Sequence, residues 1–136
     1  MRKVFLGGTC NESPWRDVLI RQLDIDYFNP VVPDWTPDCM KEEIKQRELC
    51  DYCLYVITPK MTGVYSIAEV VDDSNKVPQK TIFCLLTYEQ DGSTWTPGQL
   101  KSLNQVGKMV ERNGGKFFTD LKTVATYLNT FGRDKL

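Results

Sequence analysis

The run DYCLYVIT at positions 51–58 is apolar from Tyr52 to Ile57, with none of the alternation of a strand that keeps one wet face. A strand that must hide both faces is a central parallel strand covered by helices on either side. Parallel neighbours cannot be joined by tight hairpins, so the flanking segments have to supply crossover helices. They do. KVFLGG at 3–8 reads as a short buried strand ending in glycines. SPWRDVLIRQL at 13–23 reads as a helix with Ser13 as N-cap, Pro14 at its first position and Trp15, Val18, Leu19 and Leu23 on its inner face. IDYFNP at 25–30 is a second strand stopped by Pro30, VVPDWTPD a proline-stiffened loop, and 37–49 a polar helix of weak periodicity. Beyond the central run, TGVYSIAEVV at 62–71 reads as a helix with Val64, Ile67, Ala68 and Val71 on one stripe. KTIFCLL at 80–86 is a fourth strand, followed by a loop, a helix over 97–115 with a glycine stop, a strand KFFTD at 116–120 and a helix LKTVATYLNTF at 121–131.

Strands alternating with helices predict an α/β fold with a doubly wound, five-stranded parallel sheet of flavodoxin-like or Rossmann-like type. The expected strand order is 2-1-3-4-5, in one domain over residues 1–136. In such sheets ligands sit beyond the carboxyl ends of the strands, near the switch point between the first and third. That rule selects GGTCNES, NPVVPDW, TPKMTGVYS and TYEQDGSTW as the segments from which functional residues should come.

Composition narrows the chemistry. Seventeen basic and eighteen acidic side chains give a net charge of −1 without long single-sign runs, so the footprint of a duplex nucleic-acid binder is missing. The start lacks the apolar run of a signal peptide and no stretch reaches a membrane span, which reads as a cytoplasmic protein with no membrane partner. There is no histidine, which removes Ser-His and Cys-His catalysis and leaves acid-base work to carboxylates, Tyr, Lys or Cys. Of five cysteines, Cys53 and Cys84 lie in apolar runs and read as buried small hydrophobes. Cys50 and Cys53 form a lone CxxC at a helix end and strand start, a poor match to zinc or redox sites. No metal or cofactor is expected.

Each candidate site has a structural reading beside a functional one. GGTCNES turns tightly and can aim helix amides at an anion, or it is a glycine turn and a cap. Ser66 and Glu69 fit the S-x-x-E capping box, which would occupy the acid; if the helix begins at Thr62, Glu69 falls in the second turn and is free of that duty. Glu43 lies on the polar helix, where it and Arg47 form an ordinary i,i+4 pair. Trp35 and Trp95, with Asp34 and Asp91, sit in loops at the ligand edge, where a tryptophan stacks on a flat base or pins its loop.

Taken together, KVFLGGTCNESPWRD, YFNPVVPDW and LCDYCLYVITPKMTGVYSIAEV resemble, in order and spacing, the nucleoside 2-deoxyribosyltransferase family and its deoxynucleoside-monophosphate N-glycosidase relatives. The resemblance covers most of the first 75 residues. It implies Glu69 as the nucleophile at the anomeric carbon and Glu43 as a carboxylate that holds the sugar and assists proton transfer. It places Gly7, Gly8, Asn11 and Ser66 around the sugar and any 5′-phosphate, with Asn29, Asp34, Trp35 and Gly63 as further substrate contacts. The substrate would be a small-molecule nucleoside or nucleotide, and relatives complete their sites as oligomers, so a homodimer or higher homo-oligomer is expected. The sequence departs from the family in three places: the stretch from Gly63 to Glu69 holds no acid but Glu69, Val56 or a neighbour stands where the transferases carry an aspartate, and a family tyrosine near the first loop has no counterpart in GGTCNES.

Cleaving an N-glycosidic bond passes through an oxocarbenium-like state that one carboxylate stabilises by charge or by covalent capture. Water then makes a hydrolase, a second base a transferase. The alternative is a non-catalytic nucleotide or nucleotide-sugar binding module on the same fold. A third reading is another flavodoxin-like protein. An FMN carrier could use GGTCNES, whereas a phosphoacceptor receiver is disfavoured because no aspartate ends the third strand.

Overall fold

The computed structural model describes residues 1–10 and 12–132. Five strands, β1 (Lys3–Gly8), β2 (Asp26–Phe28), β3 (Tyr52–Ile57), β4 (Thr81–Leu85) and β5 (Lys116–Phe118), form one all-parallel sheet in the order β2-β1-β3-β4-β5. The expected architecture and strand order are both found. Four α-helices connect the strands and a fifth follows β5: α1 (Trp15–Ile20), α2 (Pro37–Leu49), α3 (Tyr65–Lys76), α4 (Pro97–Arg112) and α5 (Leu121–Phe131).

The double-sided character of β3 is explicit in the packing. Tyr52, Leu54 and Val56 face a core built with Trp15 and Leu19 of α1 and Val124 and Leu128 of α5. Cys53, Tyr55 and Ile57 face the opposite core with Val70 of α3 and Leu103 and Val110 of α4. The register sets Gly8 beside Val56, and Gly8 has φ 117°. A Cβ there would come within 2.0 Å of the Val56 carbonyl oxygen, so the close approach of the two strands requires glycine. Burial pushes the Cys53 and Cys84 thiols up to about 12, in keeping with their reading as core hydrophobes. Cys50 is the C-cap of α2 and is also buried.

Several boundaries differ from the sequence reading. β2 and β5 are shorter, and Asp120, expected at the end of β5, instead caps α5 by accepting from the Thr123 amide at 2.7 Å. α1 is six residues long and Ser13 does not cap it: its N-cap is Pro14, and Ser13 Oγ is buried with no hydrogen-bond partner among the described residues. The start of α1 is set by tertiary bonds, since Trp15 Nε1 donates to the Thr9 carbonyl at 2.8 Å and Arg16 Nη1 to the same oxygen at 2.6 Å. The apolar stripe of α3 is also shifted. Val64 and Ala68 are exposed, Val70 and Ser74 are buried, and Ile67 and Val71 pack against the core, because the helix begins at Tyr65.

Candidate functional site

The glycine loop after β1 is held from below by Arg16. Its guanidinium is buried and donates to the carbonyls of Leu6 (3.0 Å), Thr9 (2.6 Å) and Gly8 (3.3 Å), and it lies 4.4 Å from the Trp15 ring centroid. Burial lowers its pKa, while Cys10 and Glu43 act in the opposite sense. Thr9 completes the scaffold: its hydroxyl accepts from the Thr58 amide at 3.0 Å, and its own amide donates to the Val56 carbonyl at 2.9 Å. Together these bonds fix the loop against the end of β3, at the switch point. Gly8, Thr9 and Cys10 then face Gly63, Tyr65 and Ser66 across a cleft of about 160 Å³. Pro14 and Trp15, at the start of α1, wall a different cleft.

A second cleft of about 280 Å³ shares Tyr65 with the first. Its walls are Trp35, Met40, Glu43, Ile44 and Arg47 from the loop and helix α2, and Tyr65 and Glu69 from α3. The two candidate carboxylates, carried on separate helices, therefore meet in one hollow. Glu69 is not a cap: the N-cap of α3 is Val64, with no side-chain cap bond, which places Ser66 inside the first turn and Glu69 in the second. Nor does Glu43 pair with Arg47 along α2. Arg47 turns toward α3, where Nη2 donates to Asp73 Oδ1 at 2.7 Å, Nε to Asp73 Oδ2 at 3.3 Å, and Nη1 lies 3.7 Å from Glu69 Oε2. Tyr55 joins them from β3, donating to Asp73 Oδ2 at 2.5 Å and accepting from Arg47 Nε at 2.9 Å.

This network decides the electrostatics of the hollow. The hydrogen bonds with Asp73 tie up much of the Arg47 charge, so Glu43 and Glu69 leave the cleft with acidic character. The Glu69 side chain is 15 % exposed. Burial raises its pKa most, Arg47 pulls the other way, and Glu43 and Asp73 add to the rise. Burial raises the Tyr55 pKa too, and the Asp73 carboxylate adds to that. Burial works against the charge on Arg47, but its bonds and charges with Asp73, Tyr55 and Glu69 win and hold its pKa above the ordinary value.

The remaining expected site residues divide. Gly8, Gly63 and Ser66 line the smaller cleft and Trp35 the larger. Gly7 lies beneath them in β1, where a Cβ would fall 2.8 Å from the Tyr55 ring. Asn29 spends its side chain on a turn, accepting from the Val31 amide at 3.1 Å, and neither it nor Asp34 lines the two clefts. Asn11 lies outside the described residues. Trp95 pins its loop, donating to the Leu86 carbonyl at 2.8 Å. Sequence reasoning missed Tyr55, Asp73 and the outward role of Arg47. The one available signal was a tyrosine inside a strand buried on both faces, whose hydroxyl needs a partner.

Fold and site together define a doubly wound α/β protein with an acidic cleft at the carboxyl edge of its sheet. Residues 1–88 match the family model for nucleoside 2-deoxyribosyltransferase-like proteins, more than half of the 136-residue chain, and the protein belongs to that family. Membership points to nucleoside deoxyribosyltransferase-like activity. No curated protein and no solved structure matched the chain. Among the described residues no helix is long and apolar enough to cross a membrane.

Proposed function

We propose that the protein cleaves or transfers at the N-glycosidic bond of a deoxynucleoside or deoxynucleotide, with Glu69 as nucleophile and Glu43 as the second carboxylate. The observation that carries this reading is their convergence from α3 and α2 on one cleft. An oxocarbenium-like centre develops positive charge, and a cleft with two glutamates beside an arginine already bonded to Asp73 favours it electrostatically. Arg47 acts as a positioning residue, holding Glu69 near the anomeric carbon while its own charge is shared with Asp73. The sugar would bridge the two clefts at Tyr65, its 5′ end toward Gly8, Gly63 and Ser66 and its base toward Trp35.

The same reading includes a second copy of the chain. No residue of α2 is fully buried, and apolar side chains from the loop before it, from α2 and from α3 crowd the mouth of the larger cleft: Trp35 is 60 %, Ile44 53 % and Tyr65 74 % exposed. An apolar wall of this kind beside an acidic hollow suits a homodimer in which the partner closes the site. The alternative, a binding module without turnover, draws on the absence of any further acid between Gly63 and Glu69 and on Val56, which is a core residue.

Incubation with a panel of deoxynucleosides and their 5′-monophosphates, with and without an acceptor base, decides between them by chromatography of released base. Release or exchange that disappears in Glu69→Gln supports the mechanism. Equal release by both proteins refutes it, and calorimetric binding without release selects the module.

A further inference from the structure

A third cleft, sharing no residue with the two above, opens on the other side of the glycine loop, beyond the ends of β4 and β5. It measures about 210 Å³ and is walled largely by apolar groups of Trp15, Val18, Leu86, Tyr88 and Leu121. Glu89 lines it. This residue is only 6 % exposed, and its Oε1 is buried with no hydrogen-bond partner among the described residues. Its backbone is fixed, since the Glu89 amide donates to the Ser93 carbonyl at 2.9 Å and the Glu89 carbonyl accepts from the Gly92 amide at 3.0 Å. The loop is further tied down by Lys60, paired with Asp91 at 3.1 Å. Lys60 feels Glu89 through space but is engaged by Asp91. The other carboxylate lining the cleft, Asp120, is occupied in capping α5, and none of the lining residues is basic.

A buried carboxylate oxygen without a hydrogen-bond partner is costly to a fold, and a ligand that brings a donor and a positive charge relieves that cost. We propose that this cleft is a second binding site, for a small organic ammonium ion with an aromatic or apolar body, its cationic head on Glu89 and its body against Trp15 and Leu121. The cavity falls below the roughly 300–1,000 Å³ of sites for drug-sized ligands, which limits the occupant to about one ring and a short chain. The site stands apart from the Glu43 and Glu69 chemistry, so it can be tested whether or not that chemistry occurs.

Tyramine is the probe, and 4-ethylphenol, which keeps the ring and lacks the ammonium, is the control. In two-dimensional NMR titrations of the full chain, tyramine should give saturable shifts at residues 86–90 and 119–121. Binding should weaken about tenfold or more for 4-ethylphenol and for Glu89→Gln, the loss expected of one charge-assisted hydrogen bond. Leu121→Trp, which fills the cavity and leaves Glu89 in place, should abolish the shifts. Absence of saturable shifts, equal affinity in either variant, equal affinity for 4-ethylphenol, or shifts confined to the Glu43 and Glu69 cleft would each overturn the proposal.

Discussion

Asp73 is buried with its carboxylate bonded to Arg47 and Tyr55, so replacing Arg47 with alanine takes the guanidinium away from a buried charge. Removing one partner of such a pair costs about 3 kcal/mol. Urea unfolding of Arg47→Ala should show that loss, and Arg47→Lys should recover only part of it because an ammonium cannot reproduce the two-pronged contact. Glu69 behaves in the opposite sense. Burial first, with Glu43 and Asp73 adding to it against Arg47, raises its pKa, so the folded state takes up a proton more readily than the unfolded chain. Its contribution to stability is then fully present below the unfolded glutamate value of about 4.3 and is lost as pH rises through the higher folded value. A series of melting temperatures should therefore fall less steeply across that window for Glu69→Gln than for the wild type. A steeper fall in the variant would mean that Arg47 outweighs the desolvation.

Helix α2 shows how an element can be fixed without burying a residue. Thr36 caps its start by accepting from the Cys39 amide at 3.2 Å, and Lys80 caps its end, donating to the carbonyls of Arg47 (3.2 Å), Glu48 (3.0 Å) and Cys50 (3.2 Å). Lys80→Met should speed amide exchange throughout α2 by a local destabilisation of about 1 kcal/mol and leave α4 and α5 unchanged. The helix itself was readable from Thr36-Pro37 and the polar run after it, because cap and first-turn chemistry are local. The S-x-x-E pattern around Glu69 misleads for a related reason. A capping box needs the serine at the cap, and Met61 to Val64 stay out of the helix, so the motif starts two residues too late. The start of α1, read at Ser13 and found at Trp15, has another origin: the bonds from Trp15 and Arg16 to the glycine loop decide it, and those partners lie outside any helical window.

At the scale of the whole molecule, strand order was legible because parallel pairing follows from the doubly buried run at β3, and the convergence of Glu43 and Glu69 follows from that order with the resemblance of the segments. The Arg47, Tyr55 and Asp73 network was not legible, since it joins α2, β3 and α3 through side chains with no shared spacing. The exposed apolar wall at the mouth of the larger cleft belongs to this scale too. Sedimentation velocity should give a dimer for the wild type and a monomer for Ile44→Glu, and a wild-type monomer would remove the partner from the proposed site. The distribution of thiols has a practical corollary. Cys10 is exposed and Cys39 partly so, while Cys50, Cys53 and Cys84 are sealed in the interior. With Cys53 and Cys84 held near 12, almost no reactive thiolate exists there at neutral pH. An alkylating reagent read out by mass thus acts as an odometer of unfolding, since only molecules that have opened acquire more than the first pair of tags.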